Sequence, residues 1–113
     1  MNIGIIGLGS MGLNLAKNII SKKYKVYAYE ENPEINNDLK KNKVKDLFLT
    51  ESLNELLNKV LSPRIIMLSL PADKVDKVIN ELTNFLEPED IVADLGNSLY
   101  SKSIERNTLL NSH

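Results

Sequence analysis

At 113 residues, 42% apolar and 26% charged, the chain has the length of one domain and the makeup of an ordinary globular protein. A formal net charge of −1 gives no reason to expect a nucleic-acid partner or an anionic membrane surface. The absence of cysteine excludes disulfides, thiol catalysis and zinc–cysteine sites and fits a cytoplasmic protein; no signal peptide is expected, and no apolar run approaches the about 18 residues that span a membrane.

Short apolar runs alternate with helical patterns, which predicts βαβ units on a parallel sheet. The first strand is expected over Ile3 to Ile6, followed by a helix over about Met11 to Lys22 with Leu15, Ala16, Ile19 and Ile20 inward. Lys22 and Lys23 suit the negative end of that helix. Val26 to Tyr29 reads as the second strand, Pro33 as the first turn of the next helix and Leu47 to Leu49 as a short third strand. Ser52 and Glu55 form a capping-box pattern, opening a helix with Leu53, Leu56, Leu57 and Val60 inward and ending before Pro63. Ile65 to Leu70 reads as a strand buried on both faces. Val75, Val78, Ile79, Leu82, Phe85 and Leu86 mark an amphipathic helix. Ile91 to Ala93 is the fifth strand, ending at Asp94, and a last helix is expected from about Ser101. The pattern is that of a Rossmann-type, doubly wound α/β fold, whose full sheet has six strands in the order 3-2-1-4-5-6. With five strands counted, residues 1–113 are expected to form a dinucleotide-binding domain incomplete at its C-terminal end.

Gly7, Gly9 and Gly12 give G-x-G-x-x-G between the first strand and the first helix, with Leu8, Ser10 and Met11 in the intervening positions. In that context each glycine has a task. Gly7 permits the tight turn, Gly9 lets the backbone approach a pyrophosphate, and Gly12 lets helix and strand pack closely. The N–H groups at the helix start then bind phosphate. A plain glycine-rich turn is the competing reading. A carboxylate is expected about 20 residues further on, at the end of the second strand. Glu30, 18 residues after Gly12, fits, with Glu31 and Asn32 beside it. A carboxylate there accepts hydrogen bonds from ribose hydroxyls and repels a 2′-phosphate, which points to NAD, with NADP less favoured. The competing reading is a pair of solvated loop glutamates.

The run from Gly7 to Ala16 resembles the opening of the 6-phosphogluconate dehydrogenase family, within the 3-hydroxyacid dehydrogenase superfamily. Ser62-Pro63-Arg64-Ile65-Ile66-Met67-Leu68 and Leu70-Pro71-Ala72 are similar to the family's segments around its fourth strand and coenzyme loop. Asp90-Ile91-Val92-Ala93-Asp94-Leu95-Gly96-Asn97-Ser98-Leu99-Tyr100 resembles its I-V-I-D-G-G-N-S-x-Y segment. The resemblance implies coenzyme contacts at Gly7, Leu8, Gly9, Ser10, Met11, Gly12, Glu30, Glu31, Asn32, Leu70, Pro71, Ala72 and Asn97, with Asn97 also meeting the substrate. It further implies oxidative decarboxylation of 6-phosphogluconate to ribulose 5-phosphate by a homodimeric parent. Two departures stand out. Leu95 replaces the first glycine of Gly-Gly-Asn-Ser, implying a less sharply turned loop. Glu30-Glu31-Asn32 replaces the Asn-Arg-Thr or Asn-Arg-Ser of NADP-using members, removing the arginine that would pair with a 2′-phosphate. The family's catalytic lysine and glutamate fall beyond His113, so this stretch alone is expected to be catalytically incomplete. Another 3-hydroxyacid dehydrogenase and a non-catalytic NAD-binding module remain as alternatives.

Overall fold

The first strand, β1 (Asn2–Ile6), runs straight into the glycine loop and α1 (Ser10–Ser21). There follow β2 (Val26–Tyr29), α2 (Pro33–Lys41), β3 (Leu47–Thr50), α3 (Leu53–Lys59), β4 (Arg64–Leu68), α4 (Ala72–Thr83) and β5 (Ile91–Asp94). The computed structural model describes residues 2–95; Asn97 and the helix expected from Ser101 lie outside the described residues. All four strand pairings are parallel, in the order β3-β2-β1-β4-β5. This is the Rossmann-type arrangement the alternation predicts, with the chain crossing from β3 at one edge to β4 beside β1.

Alternation along each strand sends side chains to two separate cores. Ile3 and Ile5 of β1, Val26 and Ala28 of β2, and Ala16 of α1 and Leu39 of α2 share one face. Ile6, Ile66, Leu68 and Val92 share the other with Leu56 and Leu57 of α3 and Val75 and Leu82 of α4. The sheet is thus covered on both sides, which is why β1 and β4 read as nearly continuous apolar runs. A fully buried side chain such as Ile5 or Ile66 contributes about 1.5–3 kcal/mol.

Several boundaries differ from expectation for physical reasons. β4 begins at Arg64 and ends at Leu68, so Ser69 and Leu70 belong to the following loop. The Ser69 N–H still donates to the Ile6 carbonyl, but the chain is already turning toward α4. α4 ends at Thr83, which puts Phe85 out of helical phase; it is 43% exposed, while Leu86 packs on the core. Val60 is buried, as expected, but as the residue capping α3 rather than a helical one. α1 ends at Ser21, so Lys22 and Lys23 lie just past its end, with Lys23 at φ 70° and their N–H groups closing on Ile19 and Ile20. At α3 the Ser52 hydroxyl accepts from the Glu55 N–H (3.0 Å), while the Glu55 carboxylate reaches the Glu51 N–H (3.1 Å), one residue beyond the simple box.

A buried polar knot holds the rear of the second core. Arg64 Nε donates to Asp90 (2.9 Å), and its remaining nitrogens donate to the carbonyls of Leu57, Val60 and Phe85. One guanidinium therefore satisfies backbone acceptors at the C-terminal ends of both α3 and α4. Burial pushes the Asp90 carboxyl up. Hydrogen bonds from the Glu87 N–H, the Ser62 hydroxyl and Arg64 outweigh that and hold it below the ordinary value of 3.8.

Candidate coenzyme site

The C-terminal ends of β1, β2 and β4 converge at the point where the strand order reverses, the crevice in which open α/β sheets bind ligands. The glycine loop sits there, and its three glycines have different reasons to be glycine. Gly7 has φ +99°, and a Cβ on it would overlap the Ser69 carbonyl oxygen. A Cβ on Gly12 would overlap the Gly7 carbonyl oxygen and lie 3.1 Å from Ser69 Cβ. Both are demanded by the protein's own packing.

Gly9 is not. It has φ −66° and ψ −172°, a backbone any residue adopts, and among the described residues a Cβ there would meet nothing within 4 Å. Gly9 is also the N-cap of α1, a position where Ser, Thr, Asp or Asn would supply a capping oxygen, and it supplies none. The first intrahelical bond runs from the Leu13 N–H to the Gly9 carbonyl (2.9 Å), so the helix offers no acceptor to the N–H groups of Ser10, Met11 and Gly12. The result is a cradle of donors at the positive end of a helix dipole, with the space beside Gly9 free of side chains among the described residues. It suits a phosphate.

The acidic side of the crevice is built differently from the sequence expectation. Glu30 is buried, at 9% exposure. Its Oε1 accepts from the Leu8 N–H (2.6 Å) and its Oε2 from the Asn32 N–H (2.9 Å). This carboxylate ties the glycine loop to the end of β2, a role the spacing rule does not reveal. Leu8 is brought to the loop, but its amide is engaged by Glu30 and its side chain lies in the core. Asn32 caps α2, its side-chain oxygen accepting from the Glu34 N–H (2.9 Å), and Asn36 donates to the Glu30 carbonyl. A carboxylate has about four lone-pair sites, so Glu30 retains acceptor capacity on the crevice it lines.

Glu31, by contrast, is half-exposed and ion-paired with Lys74 in the first turn of α4. The hydrogen bond between them, then their mutual attraction, holds the Glu31 carboxyl below its ordinary range and the Lys74 ammonium above its own. Lys74 did not stand out in the sequence. The pair lies at the junction of two hollows. One, of about 440 Å³, has apolar walls from Tyr29, Leu53, Leu70 and Val78. The other, of about 600 Å³, runs past Gly9, Asn32, Pro33, Ser69 and Pro71. Leu70 borders both; Pro71 is the N-cap of α4 and Ala72 its first residue. The structure thus places Gly7, Gly9, Glu30, Glu31, Asn32, Leu70 and Pro71 on these two adjoining hollows, while Leu8, Ser10, Met11, Gly12 and Ala72 line neither: Ser10 to Gly12 open α1 and Ala72 opens α4. Asn97 lies outside the described residues. Among the described residues no cluster of His, Cys, Asp or Glu could hold a metal, and no helix is long and apolar enough to cross a membrane.

A doubly wound sheet with a bare helix start at its switch point defines a dinucleotide-binding domain. Comparison with known proteins narrows the class. The family model for the NAD-binding domain of 6-phosphogluconate dehydrogenase matches residues 2–113, and the chain belongs to that family. It is 42% identical over 108 residues to the decarboxylating 6-phosphogluconate dehydrogenase of Chlamydia pneumoniae, covering 93% of this chain and 22% of that protein. With the enzyme of the same name from Buchnera aphidicola it shares 34% identity over 113 residues, covering 98% of this chain and 24% of the relative. It therefore spans about a quarter of the length of these relatives. Among solved structures, Plasmodium falciparum 6-phosphogluconate dehydrogenase, described with NADP⁺ and with 6-phosphogluconate, superposes with a TM-score of 0.83 at 31% identity, over 99% of this chain and 25% of that one. Prephenate dehydrogenase from A. aeolicus, described with NAD⁺, gives 0.76 at 26% identity over 98% of this chain and 38% of that one.

Proposed function

We propose that this chain is the coenzyme-binding part of an oxidoreductase that takes 6-phosphogluconate to ribulose 5-phosphate, and that its coenzyme is NAD. The observation that carries the proposal is Gly9: a residue bare of side chain at the start of α1, where neither its backbone angles nor its packing against the described residues requires glycine, beside three helix-start N–H groups. The pyrophosphate is assigned to Ser10, Met11 and Gly12, and the adenosine ribose to the edge formed by Glu30, Glu31 and Asn32. The adenine is assigned to the hollow walled by Tyr29, Leu53, Leu70 and Val78, with Pro71 and Ala72 following Leu70 at the start of α4. Bound there, the nicotinamide would supply the hydride chemistry, while these residues supply position and electrostatics. Asn97 is assigned to the nicotinamide and substrate end, where an amide can both donate and accept. Substrate chemistry, homodimer formation and a cytoplasmic location are proposed for the whole protein. The domain is proposed to take in residues 1–113.

The test is calorimetric titration of the 113-residue chain with NAD⁺, together with an absorbance assay for NADH in the presence of 6-phosphogluconate. Binding without turnover is expected. Absence of NAD⁺ binding, or robust 6-phosphogluconate-dependent NADH formation by these residues alone, would overturn the proposal.

A further inference from the structure

The Glu31–Lys74 pair joins two elements that sequence holds far apart, 43 residues from each other, and it does so across the mouth of the crevice. Glu31 follows the buried Glu30 at the end of β2, and Lys74 stands in the first turn of α4. The hollow of about 440 Å³ and the hollow of about 600 Å³ both include Glu31 and Lys74 in their walls. A ligand occupying both hollows has to pass this bridge. The two side chains are 54% and 47% exposed, so no packing fixes them; their pairing does.

This pairing has an electrostatic consequence at the ribose edge. Lys74 is a point charge on a flexible stem, a suitable donor to a phosphate. While Glu31 accepts from it, its charge is compensated where a 2′-phosphate would arrive, and that phosphate faces a carboxylate as well. Lys77, whose charge also reaches Glu31, lines the hollow of about 440 Å³ and lies one helical turn from Lys74. We propose that Lys74 is a coenzyme-specificity residue held in check by Glu31: paired, the two favour the unphosphorylated ribose of NAD, and unpaired, Lys74 receives the 2′-phosphate of NADP. Glu31 then acts less by repelling the phosphate itself than by engaging the cation that would attract it. This rests on the dinucleotide-binding reading above.

The experiment is calorimetric titration of NAD⁺ and NADP⁺ into the 113-residue chain and its Glu31→Gln, Lys74→Met and Glu31→Gln/Lys74→Met variants, at low and moderate salt. Both side chains are exposed and outside the core, and unchanged circular dichroism and melting serve as the control for folding. Glu31→Gln should raise NADP⁺ affinity relative to NAD⁺ by at least about tenfold, since it frees an ammonium for a charge-assisted contact. That gain should shrink as salt rises. The double variant should lose it and return to within about threefold of the wild-type ratio. Lys74→Met alone should leave NADP⁺ weak. A gain that persists in the double variant would show Glu31 acting by repulsion alone and would overturn the proposal, as would no gain in Glu31→Gln while NAD⁺ still binds. Failure of the wild-type chain to bind either dinucleotide is a different result: it removes the dinucleotide reading and this inference with it.

Discussion

Replacing Gly9 by alanine separates function from folding at a single methyl group. The backbone at Gly9 is already in an extended conformation open to alanine, and the new Cβ meets no atom of the described residues within 4 Å. Glycine to alanine at such a position stabilises by about 0.4–1 kcal/mol through the unfolded chain. Against this, alanine is a poorer N-cap than glycine by a comparable amount, several tenths of a kcal/mol on the order of the usual capping differences. The two offset, and folding stability should stay within about 0.5 kcal/mol of wild type. Binding should not be spared, because the methyl group enters the space through which a phosphate reaches the Ser10, Met11 and Gly12 N–H groups. A loss of at least about tenfold in NAD⁺ affinity, on the order of 1.4 kcal/mol, is expected. Gly12→Ala is the contrasting variant: its Cβ would overlap the Gly7 carbonyl, and overpacking of that kind costs about 1–3 kcal/mol or more of stability. Thermal melting and calorimetric titration on the two variants give the answer. If Gly9→Ala bound NAD⁺ as wild type does, or if it lost about 2 kcal/mol of stability, the argument that this glycine serves a ligand would be refuted.

Three further outcomes follow from the scaffold. Arg64→Leu should cost about 3–5 kcal/mol, because it removes the counter-ion of the buried Asp90 carboxylate and the donor to three carbonyls, and chemical denaturation measures this directly. Asp90, whose carboxyl is held below 3.8 in the folded chain, contributes stability that is present above that pH and lost as the pH falls through its lower folded value. Denaturation across that acid range should show this decline, and Asp90→Asn should flatten it. Ser52→Ala should cost about 1 kcal/mol, a fall of roughly 4–8 °C in melting temperature for a domain of this size.

Periodicity and motif spacing made much of the fold legible. The alternating strands and helices, the glycine loop, the helix cap at Ser52 and the placement of Glu30 at the end of β2 all rest on local pattern, and the structure bears them out. What local pattern cannot convey is where a contact closes over long sequence separation. The apolar run Ile65 to Leu70 does not mark the point where β4 leaves the sheet, because that turn depends on Gly7 approaching Ser69. Arg64 reads as a charge flanking a strand; its burial depends on acceptors from α3, α4 and Asp90 meeting at one place. Glu30 was legible in position but not in role, since its two backbone donors come from 22 residues upstream and two downstream. Lys74 carries no motif, and only the fold brings it to Glu31.

The measurement that bears most directly on the central claim is a nitrogen–proton NMR titration of the 113-residue chain with NAD⁺. The account predicts that the largest shifts fall on the amides of Ser10, Met11 and Gly12, with further shifts at Glu31 and along Leu70 to Ala72. The Leu8 amide, engaged by Glu30, should move less than those three. Saturable binding whose largest shifts lay on the opposite end of the sheet, around Lys23 to Lys25 and Lys59, would contradict it, as would no shift at the helix start at millimolar NAD⁺, a concentration that reports even weak binding of about 4 kcal/mol.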